Sequence, residues 1–446
     1  MGKQRSIAVV GSGISGLSAA WLLSRHHSVR LFEREARVGG HSNTVDVRSD
    51  RCRVPVDTGF IVYNTASYPN LIALFDHLEV PTAPTNMGFS VSLDGGSYEY
   101  SGNSLATLIG QPMNLVRPGH WRMIADLLAF FRDARGDLAD LEQRPQSLGD
   151  YLAAKRYSQT FISRHILPMA AAIWSTPSAE ILNFPAAAFI RFFDNHGLLQ
   201  VNDRPQWRTV VGGSREYVRR MLRALEGRVS IGTPVQGIRR VGGGVTITTR
   251  NGAEHFDACV IATHADEALA LLGDADENEK DLLSAFGYIK NRAVLHSDAK
   301  LMPQRRRLWS SWNYLGTTSK ADTSLSVTYW MNALQPLETK DDLFVTLNPL
   351  APVAVGRQHA AIDYMHPIFD ARAMDAQRQL WRLQGQRNTW FCGSYFGYGF
   401  HEDGLEAGLA AAEDIGGVRR PWTVPAGSAR IRVLSRTRSP LEHAPA

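Results

Sequence analysis

The spacing of apolar positions along the chain changes period several times, and each change marks an element. Ser6-Ile-Ala-Val-Val10 is a short, mostly apolar run of the kind that forms a strand buried on both faces. An Ala- and Leu-rich helix follows, and Val29-Arg-Leu-Phe32 is a second buried run, so the chain opens as a βαβ unit. Alternation then replaces the runs. Val45-Asp-Val47 and Cys52-Arg-Val54 predict a hairpin, Tyr68 to Leu78 has helical spacing and stops before Pro81, and Gly88 to Leu93 and Ser97 to Tyr100 read as strands. A helical region runs to about Phe193. Within it Trp121, Ile124, Leu127, Leu128 and Phe131 recur at helical spacing, with Arg122, Asp126 and Arg132 between them. Such a stripe is a core face or, with its Trp and Arg, a face that meets lipid. Further on, a helix over Glu216 to Leu225 precedes a strand at Val229-Ser-Ile231. Strands over Gln236 to Val241 and Val245 to Thr249 flank Gly242-Gly-Gly244, which precedes no helix and is therefore a hairpin turn. Asp257 to Thr263 reads as another parallel strand, with Ala262 at its small-residue end. Arg292 to His296, Leu325 to Met331 and Leu343 to Leu347 are strand-like, and a last strand after Asn388 runs through glycines into an Ala/Gly-rich helix near Asp403.

The length of 446 residues exceeds what one core serves, so two domains are expected, and 44% hydrophobic residues suffice for both cores. No uncharged apolar run approaches the roughly 18 residues of a membrane span, and with a core strand so early no signal peptide is expected. Cys52, Cys259 and Cys392 are widely spaced and odd in number, which fits a reducing cytoplasm. With no Cys-x-x-Cys, the chain is not a disulfide reductase, and no metal-ligand spacing occurs. Residues 419–446 hold Arg419, Arg420, Arg430, Arg432, Arg436 and Arg438 against Glu442, which alone gives the net charge of +5. This basic tail is expected to be disordered, a candidate tether to an anionic membrane surface or a solvated segment with no role. The remaining body is near neutral, so no nucleic-acid partner is expected.

Candidate chemistry starts at the first turn. Gly11, Gly13 and Gly16 have the spacing of a dinucleotide fingerprint between strand and helix. Gly11 permits the turn, Gly13 lets a pyrophosphate approach the backbone, and Gly16 lets the helix lie close to the strand. The helix N-terminus, at Ile14 and Ser15, then faces the phosphates, an arrangement worth about 0.3–1 kcal/mol per charge when exposed. Glu33 ends the second strand, about 20 residues past the central glycine, where an acid bonds ribose hydroxyls and repels a 2′-phosphate. That selects FAD or NAD over NADP.

The run Glu33-Arg34-Glu-Ala-Arg-Val-Gly39-Gly40-His41 resembles the signature that follows the second strand in the flavin-containing amine oxidase superfamily, which includes phytoene desaturase-like and protoporphyrinogen oxidase-like enzymes. His41 stands where that pattern has Arg. Val-Asp57-Thr-Gly59-Phe60, Tyr364-Met-His-Pro and Gly399-Phe-His-Glu-Asp-Gly404 are similar to a bacterial group of predicted FAD-binding proteins thought to act beside fatty-acid-modifying enzymes. The resemblance implies an α/β fold with a discontinuous Rossmann-like FAD-binding domain (residues 1–85, 205–265 and 386–418) and an inserted α+β substrate domain (86–204 and 266–385). It implies non-covalent FAD, because Cys392 is not where relatives tether the cofactor. It places Arg34, Gly39, Gly40, His41, Gly59 and Phe60 near that cofactor, Val235 at its adenine, and Gly393, Ser394, Asp403, Gly404 and Leu405 in the C-terminal FAD motif. A helix N-terminus aimed there would favour reduced flavin by up to about 2 kcal/mol. Lys290 occupies the position of the lysine that holds a water near flavin N5 in amine oxidases, or is simply exposed.

Trp121, Ile173, Trp174, Phe189, Phe192, Phe193, Trp312 and Trp330 lie in segments poor in acids and read as the lining of an apolar cavity, or as ordinary core. His196, Tyr395 and His401 are candidate acid/base groups, or satisfied buried polar groups. The expected function is an FAD-dependent oxidoreductase taking hydride from an apolar, lipid or fatty-acyl substrate. A flavin amine oxidase, and a flavin-binding partner of a lipid-modifying complex, stay open as alternatives. The expected place is the cytoplasm, with the inner face of the membrane as a peripheral contact, and the electron acceptor is left open.

Overall fold

A computed structural model describes residues 3–49, 52–174, 181–200, 204–317, 326–424 and 430–434. At its centre is a five-stranded sheet in the order Val229–Ser230, Ser28–Phe32, Ser6–Val10, Ala258–Ile261, Thr389–Phe391, with every pairing parallel. Ile7, Ala8 and Val9 are fully buried in the middle strand, which is why its sequence is an apolar run and not an alternation. The sheet gathers three distant stretches of chain, and its carboxyl ends deliver Gly11, Glu33, Ala262 and Gly393 to one edge. That edge is where parallel α/β sheets receive ligands.

The Ile14–Leu23 helix lies against this sheet, and the His401–Ile415 helix lies against that helix in turn. Their contact depends on absent side chains. A Cβ on Gly16 would stand 1.9 Å from the Gly11 carbonyl oxygen, and one on Gly408 would stand 2.1 Å from that of Ser15.

A second, seven-stranded sheet has the order Gln358–Ile368, Gly287–His296, Phe344–Leu347, Ser326–Trp330, Trp312–Gly316, Phe89–Leu93, Tyr98–Ser101. Only the Trp312–Gly316 pairing with Phe89–Leu93 is parallel. The predicted strand from Leu325 is seen from Ser326, and Leu325 itself lies outside the described residues. The Gly242–Gly243 turn has φ of 60° and 81°, and it joins Val235–Val241 to Gly244–Thr249 as a hairpin. Among the described residues no helix is long and apolar enough to cross a membrane.

Two expectations need correction. In the long Pro118–Gln143 helix the buried stripe runs through Met123, Leu127, Phe130 and Ala134, while Trp121 and Leu128 are 47% and 54% exposed. The C-terminal segment is in part folded: Arg420 pairs with Glu413 at 2.8 Å, and Arg430 is buried against Asp403 at 2.7 Å. Arg436, Arg438 and Glu442 lie outside the described residues.

Candidate cofactor and substrate site

A cavity of about 980 Å³ opens at the carboxyl edge of the parallel sheet and extends to the seven-stranded sheet. Gly11, Gly13, Ile14 and Ser15 form one wall. Apart from its chain neighbours, nothing lies within 4 Å of where a Gly13 Cβ would stand, so the backbone faces open space there. Gly40 closes that turn, its own hypothetical Cβ 3.0 Å from the Gly13 Cα. Gly39 and Gly16 stand behind the surface as packing positions.

Glu33 is held by its neighbours. Its Oε2 accepts from Ser12 N at 3.0 Å and from the Ser12 hydroxyl, and its Oε1 accepts from Glu35 N at 2.8 Å. A carboxylate has about four acceptor sites, so capacity for a ribose hydroxyl remains. Val235, Ala262, Thr263, Gly393 and Ser394 also line the cavity. Arg34 reaches Glu267 at 2.6 Å at the rim, while Arg37 donates to the Gly40 carbonyl at 2.7 Å and puts a cation beside the glycine turn.

The Asp57-Thr-Gly59-Phe60 segment owes its glycine to the protein itself. A Gly59 Cβ would stand 2.3 Å from the His41 carbonyl oxygen, which accepts from Phe60 N at 2.8 Å. Buried Asp57 anchors the segment through Ser214 N at 2.9 Å and Thr44 Oγ1 at 2.6 Å. Phe60 stacks on His401 with ring centroids 3.8 Å apart, giving the cavity a flat wall.

Four imidazoles gather at this wall. His41 stacks on Tyr364 (4.7 Å) and lies 5.4 Å from His366, which meets Asn291 Nδ2 at 2.9 Å. Burial, with His366, His264 and His401 adding to it, pushes His41 well below its ordinary value. Burial likewise brings His366 to about 4 and His401 to about 3. All three are neutral at pH 7. His264, His366, Tyr364 and Arg37 were not singled out by spacing; Tyr364-Met-His-Pro was the only signal for two of them.

The catalytic candidates separate. His401 Nε2 bonds Tyr217 OH at 2.7 Å. His196 lines the cavity, but its Nδ1 meets the Phe192 carbonyl at 2.9 Å and burial takes it to about 3. Tyr395 lines the cavity with its hydroxyl buried, and burial raises it well above the ordinary phenol range. Lys290 is a correction: its side chain is 63% exposed and ion-paired with Asp363 at 2.7 Å, outside the cavity lining. Asp403, Gly404 and Leu405 also lie behind the lining, Asp403 capping Phe400 N at 2.8 Å and Leu405 in the core.

Of the expected apolar lining, Ile173, Phe192 and Trp312 are in the cavity, joined by Tyr68, Trp207 and Tyr329. Phe189 and Phe193 stack on each other in the helical core, and Trp330 packs on Trp309. Trp174 lines a separate cavity of about 330 Å³ with Phe184 and Phe369.

A sequence model of the flavin-containing amine oxidoreductases matches residues 14–294. A Mycobacterium tuberculosis protein provisionally named a flavin-containing monoamine oxidase, AofH, is 27% identical over 385 residues, 83% of this chain and 75% of that protein. Putrescine oxidase solved with putrescine superposes with a TM-score of 0.64 at 16% identity, over 93% of this chain and 99% of that one. A CLA-producing fatty acid isomerase from P. acnes superposes with a TM-score of 0.61 at 15% identity, over 93% and 99%. These superpositions establish a shared fold. FAD fits the residues present: an open backbone at Gly13, a helix N-terminus without acids in its first turn, an oriented Glu33 and a cation at Arg37.

Proposed function

Because the chain belongs to the flavin-containing amine oxidoreductase family and is an FAD-dependent oxidoreductase, we propose that it oxidises an apolar substrate of lipid or fatty-acyl type, at a carbon next to an activating group. One observation carries this reading. The lining away from the glycine turn is apolar and aromatic, and its carboxylate, Asp363, is already met by Lys290. An acyl chain needs apolar walls, whereas an ammonium group here would meet aromatic faces but no uncompensated acid to pair with.

Bound FAD supplies the hydride acceptor, and the protein supplies binding, orientation and a dry space. Gly11 and Gly13 and the Ile14–Leu23 N-terminus hold phosphate, Glu33 holds ribose, and Arg37 balances charge. Phe60, Ile173, Phe192 and Trp312 exclude water from the reacting carbon. His41, His366 and His401, neutral and packed in rings, give shape and carry no imidazolium proton to act as an acid at pH 7.

Oxidation of an amine is the second reading, favoured by the names of the relatives above. Anaerobic mixing separates the two. The visible flavin band is expected to bleach with a long-chain unsaturated acyl lipid and to stay unchanged with primary amines or polyamines. Bleaching by an amine alone reverses the assignment, and no bleaching by either class, with FAD fully bound, points to a flavin-binding partner without turnover.

A further inference from the structure

Away from the cavity, exposed apolar side chains cluster in one short stretch. Leu105 is 83% exposed and Val116 74%, and Met113, Leu115, Trp121 and Leu128 are each about half exposed or more. They belong to three consecutive elements in contact: the Leu105–Ile109 helix, the Pro112–Val116 turn and the start of the Pro118–Gln143 helix. The Trp121 Nε1–H donates to the Leu115 carbonyl at 2.9 Å, joining turn to helix.

Scattered exposed apolar residues are ordinary, but a contiguous set marks a contact surface. Two features identify what it contacts. First, residues 102–125 contain no acid; Arg117 lies within them and Arg307 reaches in to the Gly110 carbonyl at 2.8 Å, while Arg122 is neutralised by Asp126 at 3.2 Å. Arg117 bonds neutral groups, the Ser97 carbonyl and Asn114 Oδ1. An apolar patch with a cationic rim complements an apolar phase with an anionic boundary. Second, the side chains stand out singly from turns and helix starts. A fluid phase accommodates such prongs without a matching shape, and the indole N–H of Trp121 is already satisfied, so its ring can leave water without orphaning a donor.

We propose that this face, centred on Leu105, Val116 and Trp121, docks the protein on an anionic lipid bilayer. Docking is peripheral, since the apolar side chains reach only into the headgroup and upper acyl region. It is independent of which substrate the cavity takes.

The test uses the full-length flavoprotein and sedimentation with vesicles of phosphatidylcholine, alone or mixed with phosphatidylglycerol. The parent protein is expected to co-sediment with the mixed vesicles and much less with phosphatidylcholine alone. The triple variant Leu105→Ser, Val116→Ser, Trp121→Ser is expected to lose about an order of magnitude in bound fraction while keeping flavin content and melting temperature. Arg117→Gln with Arg307→Gln should remove most of the dependence on phosphatidylglycerol. Equal binding by parent and triple variant overturns the proposal, as does a parent that ignores both vesicles. So does gel filtration in which the triple variant dissociates a parental oligomer that binds no vesicle, because the face is then a protein–protein interface.

Discussion

The two helices that meet beside the cavity are matched in packing and opposed in charge. The Ile14–Leu23 helix is buried along its whole length, has no acid in its first turn and no side-chain cap at Gly13, so its first N–H groups are free for an anion. The His401–Ile415 helix begins with Glu402 and Asp403, both fully buried, and continues to Glu406, 1% exposed. These acids are turned from the cavity. Glu402 accepts from Asn70 N (2.8 Å) and Leu71 N (2.9 Å), capping the Pro69–His77 helix. Asp403 caps its own helix and pairs with Arg430, which also donates to the Ser67 carbonyl at 2.5 Å. The expectation that the second helix offers the flavin an open positive end is therefore corrected, because its own carboxylates occupy that field. Only one of the two N-termini is open to an anion; the other is a buried acidic cluster met by Arg430 from beyond the last helix.

The most disruptive way to break the pair is through the glycines that let the helices touch. Gly408→Val would drive a side chain into the Ser15 carbonyl, which cannot move without moving the phosphate-facing turn. The expected loss is about 4 kcal/mol or more, with colourless protein after gel filtration. A yellow variant that melts like its parent would show that the helices are free to separate.

Next comes Arg430→Met, which strands Asp403 without its counter-charge. Breaking a buried ion pair costs about 3–5 kcal/mol, and adding Asp403→Asn should recover part of it. The readout is chemical denaturation of both variants, and additivity of the two changes would dissolve the proposed coupling.

The same cluster gives a pH signature. Burial, then the charges of Glu402 and Asp403, push Glu406 up from 4.5 to about 8, and burial takes Glu402 to about 7. Folded protein thus holds protons that the unfolded chain releases above 4.5, so stability falls as pH rises from 4.5 toward 8. The buried histidines act oppositely: lowered from 6.5, they contribute stability above 6.5 that is lost as pH falls toward 3. Between pH 6.5 and 8 the carboxyl effect stands alone. Glu406→Gln should flatten the decline there, by an amount on the order of 2 kcal/mol, measured by melting at a series of pH values; an unchanged slope would acquit Glu406.

On the other helix, Glu33→Ala should weaken FAD binding to the apoprotein by about 1.5–3 kcal/mol, read by fluorescence titration. Because Glu33 also holds Ser12 N, Ser12→Ala should show a smaller part of the same loss. Equal affinities across the three proteins would mean that the glycines alone hold the nucleotide.

What could be read along the chain, and what could not, follows the same division. Gly11, Gly13, Gly16 and Glu33 lie within one βαβ unit, so their geometry is written in local spacing. Arg430 reaches Asp403 by tertiary packing alone, and His264, at the cap of the Ala265–Leu271 helix, meets His366, in the Gln358–Ile368 strand, at one wall. The Pro118–Gln143 helix shows another limit: Trp121 and Leu128 form one apolar row and Met123, Leu127 and Phe130 an adjacent one, and period alone cannot choose which faces the core.

The smallest expected effect tests the comparison from outside. Lys290 is the cation that resemblance to amine oxidases places near the flavin, whereas burial and pairing make Arg430 the cation that matters here. Lys290 sits in the Gly287–His296 strand opposite Met365, with its ammonium turned outward to Asp363, so a solvated ion pair is all that removal takes away. Such pairs are worth about 0–1 kcal/mol, and Lys290→Met should move stability by no more than that. Photoreduction of the bound flavin followed by exposure to oxygen gives a readout that needs no substrate. Reoxidation by Lys290→Met is expected to match the parent, because among the described residues no lysine lines the cavity to assist it. If reoxidation instead slows by more than about tenfold, a barrier change of about 1.4 kcal/mol, the controlling charge belongs to the seven-stranded sheet, and the asymmetry between the two helices would be a matter of stability alone.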